Sequence, residues 1–147
     1  MTVPSVLDPS VRRWLRDRRQ GVLVTLRRDG TAQTSNVAFH FDEEAGTFGV
    51  SVTATRAKTN NLRRDPRAVL HVLGPTFASY ISVRSTASLG PVSTAAGDGA
   101  GQDLLALYET ISSGRHPDRD EFFAAMVADR RLMLTLTPVD AVVGSSG

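Results

Sequence analysis

The segment GVLVTLRRDGTAQTSNVAFHFDEEAGTFGVSV, residues 21–52, reads as three strands separated by turn signals. Asp29-Gly30 marks the first turn, because this dipeptide accepts the left-handed backbone that tight hairpins need. Asp42 to Gly46 marks the second. Val37, Phe39 and Phe41 alternate with Ala38 and His40, and Phe48, Val50 and Val52 alternate with Gly49 and Ser51. A period of two puts one set on a buried face and the other outside. The spacing therefore predicts an antiparallel meander over these three strands.

Working outward, the pattern changes after Val52. Residues Ala57 to Arg64 are good helix formers with Leu62 turned inward, and Thr55 is the expected N-cap. Asp65-Pro66 stops this helix, since proline disfavours the α region for the residue before it. AVLHVLG (68–74) and SYISVRSTASLGPV (79–92) resume as strands around a Gly-Pro loop. On the N-terminal side, Leu7, Val11, Trp14 and Leu15 form the apolar stripe of a short helix, with Asp8 or Ser10 as N-cap. STAAGDGAGQ (93–102) has the small, polar composition of an exposed connector. Two helices follow, with stripes Leu104, Leu105, Tyr108, Ile111 and Phe122, Phe123, Met126, Val127, both expected to face the core. RLMLTLTPVDAVVG (131–144) is a last strand. Many short antiparallel strands with helices at the margins predict a mainly β fold, a small β-barrel with peripheral helices, spanning 1–147 as one domain. Such barrels enclose little, so a large ligand is expected outside, in a groove shared with a second subunit.

The 147 residues are 41% hydrophobic and 22% charged, the composition of a folded globular protein. No apolar run reaches the ~18 residues of a membrane span, and the N-terminus lacks a signal-peptide core, so a cytoplasmic protein with no membrane partner is expected. Without cysteine there is no disulfide, thiolate nucleophile or Cys-ligated metal. His40, His71 and His116 lie far apart with no HxH or HExxH grouping, so no metal site is expected. No Ser-His-Asp arrangement or carboxylate pair stands out, and no catalytic residue is assigned. His40 is the one candidate proton donor by its pKa class.

The net charge is only +2, yet residues 1–67 carry +5 and residues 68–147 carry −3. Of the 17 basic residues, Lys58 is the single lysine. It sits beside Arg56 and ahead of Arg63, Arg64 and Arg67. At the start of the helix near Thr55 the first N–H groups lack intrahelical acceptors and the dipole is positive. Cations there are unfavourable until an anion offsets them, and phosphate fits the inventory of Thr55, Arg56, Lys58, Thr59 and Asn61. The other reading of the cluster is a solvated helix face, with Asp65 as a partner for the later arginines. The small net charge, and the lack of base-stacking or helix-turn-helix signatures, argue against nucleic acid.

GTFGVSVT followed by ATRAKTNNLRRDPRA resembles the phosphate-binding strand and helix of the pyridoxamine 5'-phosphate oxidase-like split β-barrel proteins, where a Ser/Thr-Arg-x-Lys element grips a cofactor phosphate. GVLVTLRRDGTAQTSNVAFHFD is similar to the same family, specifically to its flavin/deazaflavin oxidoreductase branch of actinobacterial type that uses coenzyme F420. The likeness covers roughly residues 15–90, with the late helices and DRRLMLTLTP in the expected order. It implies a homodimer of split barrels with the cofactor at the subunit interface. By position, Thr55, Arg56 and Lys58 would bind the phosphate, and Ala57, Thr59 and Asn61 would complete that turn. Ser35, Asn36 and Val37, with Val50, Ser51, Val52, Thr53 and Ala54, would line the ring and linker. The partner would supply Phe77, Ala78, Ser79 and Tyr80. Phe77 stands where close relatives in the F420 branch often carry tryptophan.

The implied activity is hydride transfer from the reduced deazaflavin to an electron-poor small molecule such as an enone or quinone. Arginines near the N-terminal helix would meet the coenzyme's acidic tail. The alternatives are an FMN-binding oxidase or reductase and a non-catalytic F420-binding carrier. A vitamin B6 oxidase should carry basic substrate-binding residues near its C-terminus, and TPVDAVVGSSG has none.

Overall fold

A computed structural model describes residues 6–144. In chain order the elements are α1 (Pro9–Arg16), β1 (Gln20–Leu26), β2 (Ala32–Ala38), β3 (His40–Asp42), β4 (Thr47–Thr53) and α2 (Ala57–Arg64). β5 (Arg67–Leu73), β6 (Tyr80–Leu89), α3 (Gly99–Ser112), α4 (Arg119–Ala128) and β7 (Arg131–Gly144) follow. Seven strands form one antiparallel sheet in the order β2-β1-β5-β6-β7-β4-β3.

The expected meander is half right. Gly30, at φ +86°, turns β1 into β2, and Gly46, at φ +74°, turns β3 into β4. The long middle strand is two strands, however. Its first half pairs with β1 and its second half with β4, and these lie at opposite ends of the sheet order. Phe39 alone joins them, so the two edges are one residue apart and the sheet must curl into a split barrel. The Phe39 N–H leaves both ladders and donates to the Arg19 carbonyl at 2.8 Å.

Alternation through this seam survives. Phe39, Phe41 and Phe48 are fully buried, with Leu23, Leu70, Leu132, Leu134 and Leu136. Phe48 meets Phe39 edge-on at 5.4 Å and Phe41 at 4.8 Å between centroids. Leu15 closes one end of this core from α1, whose N-cap is Asp8, accepting the Val11 N–H at 3.0 Å. In β7, Pro138 sits beside the register shift opposite Arg84/Ser85, where a missing ladder donor does least harm.

The connector 93–102 is more built than its composition suggests. Ser93 is buried, and Asp98 accepts from Thr94 N–H, Gly101 N–H and the Ser93 hydroxyl at 2.8–2.9 Å. The Thr94 and Gly101 amides hold its carboxyl down to about 2. Asp98 thereby caps α3. Leu104, Leu105 and Phe122 form a second apolar cluster where α3 and α4 pack against the sheet.

Candidate cofactor site

The chain turns at Thr53–Arg56, where the Arg56 N–H donates to the Thr53 carbonyl at 3.2 Å. Closing that turn delays the helix by one residue. The N-cap is therefore Arg56, not Thr55, and no side chain caps α2. An arginine at this position has no acceptor to offer, so the free N–H groups stay available to a ligand. Thr55, Arg56 and Ala57 are exposed.

Two residues expected to complete the phosphate turn are committed elsewhere. Thr59 is fully buried and donates to the Thr53 carbonyl at 2.7 Å, fastening helix to strand. Buried Asn61 donates to Thr25 Oγ1 and Gln33 Oε1, both at 3.1 Å, and accepts from Arg64 at 3.0 Å. Both side chains hold α2 on the barrel rather than face a ligand. The later arginines are also engaged. Arg63 donates to the Ala54 carbonyl, Arg64 to the Leu26 carbonyl, and Arg67 pairs with Asp65 at 2.7 Å.

Lys58 is different. It lines a groove of about 490 Å³ with Asn36, Val37 and Ala38 of β2, Ser51 of β4 and Arg131 of β7. The helices α3 and α4 supply the opposite wall. Burial lowers the Lys58 pKa from the ordinary lysine value, and the nearby Arg56 and Arg131 charges lower it further. Arg131 Nε is shielded and has no hydrogen-bond partner. Arg56 and Lys58 thus stand at an uncapped helix terminus with the Arg131 charge nearby, an arrangement that an anion completes. A phosphate monoester stays a dianion in alkali, its second pKa being about 6. At roughly a hundred times its Kd it should stabilise the fold by about 2.7 kcal/mol, several degrees in melting temperature. Anion binding needs protonated Lys58. The gain should therefore be full below the lowered folded pKa and shrink as pH rises through it. Melting curves with Lys58→Gln, whose gain should be smaller and should not fall in that window, check this.

Arg131 was not legible as a site residue. It lies across the β4–β7 ladder from Thr53, and only that pairing brings it here. Arg130, at φ +52°, turns α4 into β7, and its carbonyl accepts the Ala54 N–H at 2.9 Å.

Several expected lining residues face elsewhere. Val50, Val52 and Ala54 are core residues, at most 5% exposed. β3 ends opposite Gly49, so Val50–Thr53 run on without a strand on that side, where Ser51 and Thr53 are half-buried and Val50 and Val52 show almost no surface. Ser35 shares the half-buried face of β2 with Gln33 and Val37 and does not line the groove. Phe77, Ala78, Ser79 and Tyr80 do not reach the groove within one chain. Phe77 is fully exposed, and Ser79 and Tyr80 line a separate hollow with Trp14 and Val143. His40 lies outside the groove too, beside Asp42 and Asp103. Burial and Arg19 lower its pKa. Among the described residues, no cluster of His, Cys, Asp or Glu is built for a metal ion, and no helix is long and apolar enough to cross a membrane.

A second cleft of about 700 Å³ shares Asn36, Val37 and Ala38 with the groove and is lined by Arg18, Arg19, Gln20 and His71. Arg18 lies over the Trp14 ring at 4.4 Å.

Solved structures share this architecture. An F420 reductase superposes with a TM-score of 0.67 at 23% identity, over 95% of this chain and 98% of the other. An FMN-binding protein from Nostoc punctiforme, related to pyridoxamine 5'-phosphate oxidase, gives 0.60 at 16%, over 90% and 78%. A haem storage protein from Vibrio cholerae gives 0.66 at 15%, over 98% of both. At these identities the likeness speaks for the fold. The family profile for pyridoxamine 5'-phosphate oxidase matches residues 7–138, from α1 through the barrel to Pro138 of β7. With the split barrel, the uncapped α2 and this match in agreement, the chain belongs to the pyridoxamine 5'-phosphate oxidase family.

Proposed function

We propose that this protein is an F420-dependent reductase acting on electron-poor small molecules such as enones or quinones. The observation that carries the reading is the meeting of Lys58 and the uncapped α2 terminus in one groove, beside the stretch of β4 that has no strand on one side. The chemistry supplied by the bound deazaflavin is hydride donation. Lys58, Arg56 and the α2 amides hold its phosphate, and Ser51 and Thr53 on the unpaired side of β4 orient the ring. The α3–α4 wall excludes water.

F420 is favoured over FMN by the second cleft. Arg18 and Arg19 line that cleft, which meets the groove at Asn36, Val37 and Ala38, where an acidic tail would run. The F420 reductase likeness, over nearly the whole of both chains, agrees with this. FMN also presents a phosphate to these residues and remains the alternative.

A homodimer fits the outer face. Asn36, Val22, His71, Ser82 and Val142 make one cross-strand row over five strands. Leu73, at 61% exposed, and Val142, at 62%, give that face an apolar surface. A second copy packed there would border the groove at Asn36, and the family resemblance implies that it lends its Phe77 loop.

Fluorescence-quenching titrations with F420 and with FMN test the assignment. F420 should bind at least about tenfold more tightly, a difference of about 1.4 kcal/mol. A preference for FMN would move the protein to the flavin branch. Binding of neither would overturn the cofactor reading.

A further inference from the structure

The apolar wall of the groove is larger than a phosphate requires. Leu104, Leu107, Tyr108 and Ile111 of α3, with Phe122 and Met126 of α4, face the same space as Arg131. Leu104 and Phe122 are core residues showing one edge, but Tyr108 is 42% exposed and Ile111 and Met126 are half-buried. Apolar surface left open beside a charge marks a ligand that covers both.

Arg131 supplies the charge. The Asp129 carboxylate stands 4.0 Å from its Nε, outside hydrogen-bond range, and Nη1 only leans on the Ser51 carbonyl at 3.5 Å. Of the groove's two cations, Lys58 lies in the first turn of α2, and Arg131 opens β7 and lines the same space as the α3–α4 wall. No acid side chain lines this space to neutralise it.

We propose that the space between Arg131 and the α3–α4 wall seats a small amphiphilic anion. Its apolar ring lies against Tyr108, Ile111 and Met126, and a carboxylate or sulfonate oxygen sits on the Arg131 guanidinium. A neutral compound of the same shape leaves that guanidinium without its acceptor and binds less well. Naming this anion the hydride acceptor rests on the reductase reading; its binding does not.

The probe is anilinonaphthalene sulfonate, an apolar ring system with one fixed negative charge, titrated into the full chain and followed by its emission. The unaltered protein should bind it, with 2-naphthalenemethanol as a competitor at least about tenfold weaker than 2-naphthoate. Arg131→Gln and Ile111→Asp should each weaken the probe about tenfold or more, while Lys58→Gln weakens it clearly less than Arg131→Gln does. Tyr108→Ser, at an exposed position, serves if Ile111→Asp does not fold. Absence of probe binding overturns the proposal, as does indifference to Arg131→Gln or to both helix variants, or a loss with Lys58→Gln as large as with Arg131→Gln. F420 titration of the same proteins keeps the two readings apart. If F420 fails to bind the unaltered chain, the reductase reading falls while the probe result stands. If F420 binds and the probe does not, only the amphiphile seat falls.

Discussion

Lys58→Ala should bind the cofactor about ten- to a hundredfold more weakly, and the protein without cofactor should melt no earlier than before. A hydrogen bond to a charged group contributes about 1.5–3 kcal/mol, which sets that range. Alanine is the best helix former, so α2 loses no propensity. The substitution also removes a cation that burial, Arg56 and Arg131 together disfavour. Binding and apo stability should thus move apart, whereas damage to the fold would lower both. Adding Arg56→Ala should deepen the loss, though not additively, because the two charges share one anion. Quenching titrations beside thermal melts read both quantities. Unchanged affinity in a folded double variant would refute the phosphate assignment.

The second large effect is on stability. Phe48→Ala should cost about 3–5 kcal/mol, as large-to-small changes of a buried aromatic do. Phe48 is fully buried and packs against Phe39 and Phe41 from the neighbouring edge of the barrel. The loss is a large share of the ~5–15 kcal/mol that holds a domain together. At about 2–4 °C per kcal/mol, the melting temperature should fall by roughly 6–20 °C. Phe48→Leu, which keeps most of the volume, should cost clearly less. Urea and thermal unfolding measure both. A cost for Phe48→Ala of no more than about 1 kcal/mol would show that the three rings do not act as the barrel's central support.

Local pattern carried much of this structure. Alternation at Val37–Phe41 and Phe48–Val52 told inside from outside, and Asp29-Gly30 and Gly46 located turns, because both signals depend on neighbours in sequence. The break at Phe39 does not show in that signal. A strand that changes partners keeps its period of two, so nothing in the alternation marks where one ladder stops. Lys58 was legible because its neighbours and its helix are local. Arg131 was not, since it reaches Lys58 only through the β4–β7 ladder. Thr59 and Asn61 have the chemistry of phosphate ligands, and only the packing of α2 against β4, β1 and β2 shows that they are taken. The stripes of α3 and α4 were read as core throughout. Leu104, Leu105 and Phe122 are core, while Tyr108, Ile111 and Met126 turn toward the groove. Amphipathic spacing identifies an apolar face and says nothing about whether protein or ligand covers it.

The one-residue seam at Phe39 also makes the barrel self-checking. A slip of one residue between β1 and β2 would exchange every side chain on β2 between its two faces. Through Phe39 the same slip would pull β3 out of step with β4, exposing Phe41 and burying Asp42. Each edge therefore proofreads the other, and a mispaired intermediate bears its penalty twice, at places the ladder order sets farthest apart.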